Sequence, residues 1–281
     1  MNTSSLKACF AAIDRRQWLK VVVYSLLLIN FAQYIRNDWV IAGHTLHSGS
    51  TLLDWTRAYA VTIDESAWMI LLVLFEMETY LINNPLSRTQ AMLMLIVRFC
   101  CYGFLAHTLY AYTFYAYELS QAQVIEGVSN LCQLVGKDVS YAYNLVYTEV
   151  TADNCASLST ASQFLYIDPP TFFIVQDPSG LAIEKQLIWV DIIEAVTWLS
   201  ILATIEVVVY LQDRGVVKGL LFKAVNNAKV LLYSILWCAI AYWIYRGHYM
   251  FAWDEFVWII GFVAIEMNVV EWRKEINQSQ A

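Results

Sequence analysis

Residues 64–76 read DESAWMILLVLFE: an acid, then Trp68 four residues on, then Glu76 eight beyond that. The same spacing recurs as Glu194, Trp198, Glu206 and as Asp254, Trp258, Glu266. Between the Trp and the last Glu, each copy is almost wholly apolar. On an α-helix, positions i, i+4 and i+12 fall close to one face. Three apolar segments therefore each carry an acid on a comparable face. Such repetition limits the architecture more than any single motif does.

Around this stretch the composition is that of a membrane protein. Of 281 residues, 59% are hydrophobic and only 15% charged, where a soluble chain carries about a quarter. Mean hydropathy is +0.50, and several apolar runs approach the length of a bilayer crossing. Eleven Trp and eighteen Tyr suit the headgroup-level belts of spanning segments. A net charge of -7, with no long basic run, argues against nucleic acid as a partner.

In chain order, residues 1–17 form a polar N-terminal segment. The run from Trp18 to Ile35 is expected to be a first spanning helix, since no small-residue cleavage pattern follows it. Residues 36–63 read as a polar connector in which LLDWTRAYAV forms a short interfacial helix. Helix two is expected over 64–82, a turn at NNPLSR over 83–88, and helix three over about 90–117. Residues 118–185 are the only sizeable polar region. Its first half is expected to extend helix three as far as Tyr147. Its second half is expected to be irregular or partly β, with a turn at DPSG, 177–180. Helices four, five and six follow at about 187–211, 228–245 and 254–272, before a tail over 273–281.

The helices before each acidic one share a second pattern. Lys20 precedes Tyr24, Arg98 precedes Tyr102 and Lys229 precedes Tyr233, each by four residues, and KVVVYS at 20–25 matches KVLLYS at 229–234. The expected fold is thus an all-α integral membrane protein of six transmembrane helices. These form three parallel helical hairpins, over 18–82, 90–211 and 228–272, with a small extracytoplasmic insertion at 118–185 between helices three and four. Eleven Lys and Arg fall on the side of the termini and five on the other, which places both termini in the cytoplasm. Cys132 and Cys155 then face an oxidising compartment and are expected to form a disulfide. The outline resembles that of the mitochondrial carriers, but the Pro-x-acid-x-x-base motif that follows their odd helices is absent. No family membership follows.

Two readings of the repeated charges stand side by side. An intramembrane charge costs about 2.5–3.5 kcal/mol on insertion scales unless paired or hydrated. Glu76, Glu206 and Glu266 could be neutralised by Lys20/Tyr24, Arg98/Tyr102 and Lys229/Tyr233 as structural ion pairs. Alternatively, the three Glu face a shared path that binds a small cation or relays protons. Asp64, Glu65, Asp191, Glu194, Asp254 and Glu255 lie where the returning helices are expected to begin. They could form an outer vestibule that concentrates cations, or cap helix N-termini. His44 and His47, three apart, could hold zinc or copper, but no Cys or acid stands at a ligand spacing from them. There is no Walker loop, GxSxG or HExxH, so no enzyme is expected. Two functions remain: a channel or carrier for a small cation or proton, and a non-catalytic scaffold or complex subunit whose outer domain docks a partner. In either case the chain is expected to work as a homo-oligomer or as a subunit of a membrane complex.

Overall fold

The computed structural model describes residues 15–81, 87–169, 171–214 and 219–262. The chain is mostly helical. Helix α1 spans Arg15–Thr45, α2 Leu52–Ala58, α3 Ala60–Leu81 and α4 Arg88–Ser120. A small domain follows with strands β1 (Gln123–Val124), β2 (Ser140–Tyr143), β3 (Val146–Glu149), β4 (Leu165–Tyr166) and β5 (Ile174–Gln176). It also holds a 3₁₀ turn, Leu131–Leu134, and the one-turn helix α5, Cys155–Leu158. Then come α6 (Pro178–Asp213), α7 (Leu220–Arg246) and a helix over 249–262. Among the described residues four helices, α1, α4, α6 and α7, are long and apolar enough to cross a membrane. A fifth is counted if α2 and α3, bent by 70° at Tyr59, make one span.

The chain divides into two compact units, residues 1–33 with 216–281 and residues 34–215. In the first unit, Asn30 Nδ2 donates to Asp254 Oδ1 at 2.7 Å, both side chains being buried. Trp237 meets Phe256 edge-on at 5.9 Å. Helix α7 ends at Gly247, whose φ of 84° is the left-handed cap conformation that glycine adopts without strain. Its N–H satisfies the Ile244 carbonyl, and Trp243 then packs under Phe251 of the returning helix at 5.2 Å.

In the second unit, α4 packs against α3 and α6. Its buried residues, including Cys101, Leu105, Thr108 and Ala111, recur every three or four positions as a core stripe requires. Capping boxes begin α2 at Thr51 with Asp54 and α4 at Ser87 with Gln90. The small domain carries a five-stranded sheet in the order β1-β4-β5-β2-β3, antiparallel except for the parallel pair β2–β5. Asn144 and Leu145, both at positive φ, close the two-residue β2–β3 hairpin. One sheet face buries Tyr141 and Val175 with Leu131, Leu134 and Phe164. The other sets Ala142 and Ile174 against Leu119 of α4 and Ile188 of α6. Cys132 and Cys155 are disulfide-bonded, with their Cα atoms 4.9 Å apart, and tie the 3₁₀ turn to α5.

Several boundaries differ from those expected. Helices two, five and six, expected from 64, 228 and 254, are helical from Ala60, Leu220 and residue 249. Three other differences are larger in consequence. Helix α1 continues ten residues past Ile35, to Thr45; its polar residues there are helical, and Asp38 finds donors on α3. Helix three does not extend to Tyr147. It stops at Ser120, where the chain turns into β1 and Gly127 takes a positive φ. The stretch DPSG is not a turn but the start of α6. Asp177 is its cap, accepting from the Gly180 N–H at 2.8 Å, and Pro178 stands at the first helical position, where its missing N–H costs nothing. The turn at 83–88 lies outside the described residues except for Ser87 and Arg88.

Candidate functional site along the α4–α6 interface

Helices α4 and α6 run antiparallel, and the tyrosines of one meet the acids of the other. At the sheet end, Tyr115 Oη lies 3.5 Å from Glu184 Oε2 and 3.4 Å from Tyr147 Oη. Glu184 is fully buried, and its Oε1 accepts the Leu145 N–H at 2.8 Å, so it fastens the hairpin turn to α6. One turn deeper on α4, Tyr112 packs with Ile188 and Ile192 of α6, and the charges of Asp191, Asp64, Asp38 and Glu194 act on its buried phenol. They come from α1, α3 and α6. Asp38 is buried and accepts from the Thr62 N–H at 2.8 Å and hydroxyl at 2.7 Å.

Below this acidic group the interface turns apolar. Trp68 and Trp198 meet edge-on at 5.7 Å, and Leu72, Leu105 and Ile201 are buried. Below that layer the interface turns polar again. Tyr102 donates its hydroxyl to Glu206 Oε1, and Arg98 Nη1 lies 3.8 Å from the same oxygen. The Glu206 side chain stays 44% exposed. A carboxylate held by a phenol and a guanidinium, yet open on one side, can exchange a proton or meet a cation.

At the far end of α6, Asp177 is held quite differently. Burial works against its charge, but it accepts from Ser159 (2.6 Å), Ser179 (2.5 Å), Tyr141 (2.7 Å) and the Gly180 N–H (2.8 Å). These bonds outweigh burial and bring its pKa down to about 2. Its role is architectural: it joins β2 and the segment after α5 to the start of α6.

The remaining expected residues fall as follows. Glu76 is half-buried on α3, in the 34–215 unit. Lys20 and Tyr24 on α1, and Lys229 and Tyr233 on α7, belong to the other unit. Glu266 lies outside the described residues. The outer acids do not cap helix starts. Asp64 and Glu65 lie just over one turn inside α3, and Asp191 and Glu194 more than three turns inside α6, because both helices begin earlier than their apolar runs. Glu65, Asp254 and Glu255 are buried. His44 Nδ1 lies 2.8 Å from Ser140 Oγ, and its ring stacks on Tyr147 at 6.2 Å. His47 accepts the Gly49 N–H and leans on Phe173. Among the described residues no group of three or more His, Cys, Asp or Glu is placed to hold a metal ion.

Sequence reasoning missed Asp38, Tyr112, Tyr115, Asp177 and Glu184. The Asp-Pro pair at 177–178 was a readable cap signal. Tyr112 and Tyr115 lie near one another on α4, but an aromatic pair by itself also describes a lipid belt. A search against protein families, curated proteins and solved structures finds no match for this chain.

Proposed function

We propose that the protein is a six-helix membrane channel or carrier for a small cation or proton, with both termini cytoplasmic and residues 118–185 outside. One observation carries this reading. Where α3, α4 and α6 pack, a Trp-lined, mainly apolar layer separates the acidic group around Tyr112 from the Tyr102–Glu206–Arg98 group. Acids within spans are costly and mark ion pathways and proton relays, and an apolar constriction between two polar sites gates by excluding water. Glu206 is the inner site of the path, and Glu76 and Glu266 are its counterparts by sequence spacing in the other two proposed repeats. The outer acids Asp64, Asp191 and Glu194 gather cations from the opposite side.

The test is flux into proteoliposomes. Glu206→Gln is expected to lower proton or monovalent-cation flux at least about tenfold, as loss of a positioned carboxylate does. Undiminished flux in Glu206→Gln would remove the site from the path. The alternative is a scaffold or complex subunit, built with ion pairs like Arg98–Glu206 for packing. It has its own observation: a cleft of about 300 Å³ on the outer sheet, lined by Tyr141, Tyr143, Asn144, Val146, Thr148, Ser157 and Leu158. In that case, the purified protein conducts nothing above empty liposomes.

A further inference from the structure

We infer that Trp39, Trp55, Tyr117 and Trp189, with α2 lying on its apolar face, form a ring that binds the lipid headgroup boundary on the side bearing the sheet domain. This rests on the reading that the chain spans a bilayer. All four rings point outward: Trp39 is 71%, Trp55 48%, Tyr117 60% and Trp189 61% exposed.

Contacts within the 34–215 unit set these rings at one level. Arg57 of α2 bonds Glu118 of α4 at 3.4 Å, and its guanidinium lies 3.9 Å over the Phe114 ring. Helix α2, and Trp55 with it, therefore stands at the level of Tyr117 and Glu118. Asp38 bonds Thr62, one turn past the bend at Tyr59, which sets Trp39 just below. Ile188 packs in the cluster that holds Leu119, and Tyr112 and Ile192 pack against the same cluster, which sets Trp189 between. The ring thus spans α4 residues 112–119, a band of about 10 Å.

Helix α2 is built for an interface. It turns 70° from α3, sends Arg57 toward Asp54 and Glu118, and exposes Leu52 (82%) and Trp55 on the opposite side. Below the ring, the exposed residues of α4 over 91–106 and of α6 over 193–207 carry no charged side chain, and Phe104, Ile193 and Val196 are among them. Above it, Lys185 and Gln186 are exposed on α6. Lipid covers such a face, because amphipathic rings gather where acyl chains meet headgroups. The helix α6 therefore enters the membrane near Trp189, though it begins at Pro178. The acidic group at Tyr112 then lies just under the outer surface, and Glu206 about 20 Å deeper.

Single spin labels test this in liposomes, on a background with Cys9, Cys100, Cys101 and Cys238 replaced by Ser and the disulfide kept. Labels replace Leu52, Trp55, Trp189, Val196, Phe104 and Glu149, and depth is read from oxygen against nickel-chelate accessibility. Labels at 52, 55 and 189 are expected within about 5 Å of the phosphates. The 196 label is expected about 10 Å deeper than that at 189, and the 149 label in water. If 52 and 55 read as aqueous as 149 while 104 and 196 lie in hydrocarbon, the ring is not a lipid boundary and the spanning reading stands. If 52 and 55 are shielded from both reagents, protein covers them, such as a second copy, and the inference is overturned. If 104 and 196 are aqueous too, the spanning reading fails with it.

Discussion

Asp177 and Glu206 stand near opposite ends of α6 and show two ways of keeping a carboxylate in a folded chain. Asp177 is 5% exposed and takes four hydrogen bonds from the sheet domain and its own helix. Glu206 takes one phenol and one guanidinium, and nearly half of its side chain meets the surroundings. A carboxylate with its acceptor sites filled by fixed donors is a structural joint. One left open beside a proton donor and a cation is fit to react to what arrives. On the proposed reading, the sheet domain is a cap, and the α4–α6 interface is the working part.

The largest blow to that contrast comes from opening the cap. Replacing both Cys132 and Cys155 by Ser removes a cross-link that closes a 23-residue separation. It should cost the sheet domain about 3 kcal/mol, read as earlier proteolysis or a lower denaturation midpoint. The α4–α6 contacts should survive. If the disulfide variant also lost cation flux, the cap would belong to the working part and the contrast would fall.

Asp177→Ala comes next. It removes a helix cap and leaves the Tyr141 and Ser159 hydroxyls without their acceptor, at about 2 kcal/mol. The same joint has a pH signature. Because the folded pKa is depressed to about 2, its stabilisation is complete above the unfolded carboxylate value of about 4 and is lost as pH falls toward 2. The gap in midpoint between wild type and Asp177→Ala should therefore narrow steadily between about pH 4 and pH 2. A constant gap across that window would show that hydrogen bonds to the charged form are not what Asp177 supplies.

The two regions were unequally legible in the sequence. Apolar runs and charge scarcity announce membrane-crossing helices, because the bilayer demands about 20 apolar residues per crossing. They do not announce where helices end outside it. Helix α6 begins at Pro178, nine residues before its apolar run at Leu187, and α1 continues past Ile35 through polar residues. In both cases the chain stays helical outside the run by packing on the sheet or on α3, and hydropathy does not register that packing. The disulfide was readable from the two cysteines in one polar segment. The five-stranded sheet was not, since its strands are two to four residues long and their order involves a crossover. Arg98, Tyr102 and Glu206 were singled out by spacing alone, and the fold brings those three together. The acids around Tyr112 meet only through tertiary packing of three other helices, and no local pattern encodes that.

The smallest expected change sharpens the contrast most. Tyr102→Phe deletes one hydrogen bond to a partly exposed carboxylate, so stability should fall by about 1 kcal/mol or less. Its effect should appear instead at Glu206 itself. With the phenol gone, carbodiimide labelling of Glu206 should rise several-fold, on the order of a free energy of 1 kcal/mol. Tyr112→Phe, ten residues along the same helix, lies about 15 Å away, beyond the layer where Trp68 meets Trp198. It should leave Glu206 labelling unchanged. If both variants raise it equally, the Trp layer does not divide two sites, and the outer acids and Glu206 respond as one group. A rise confined to Tyr102→Phe means that the inner carboxylate answers to its own two neighbours. A gated path requires that of a site held apart from the outer acids.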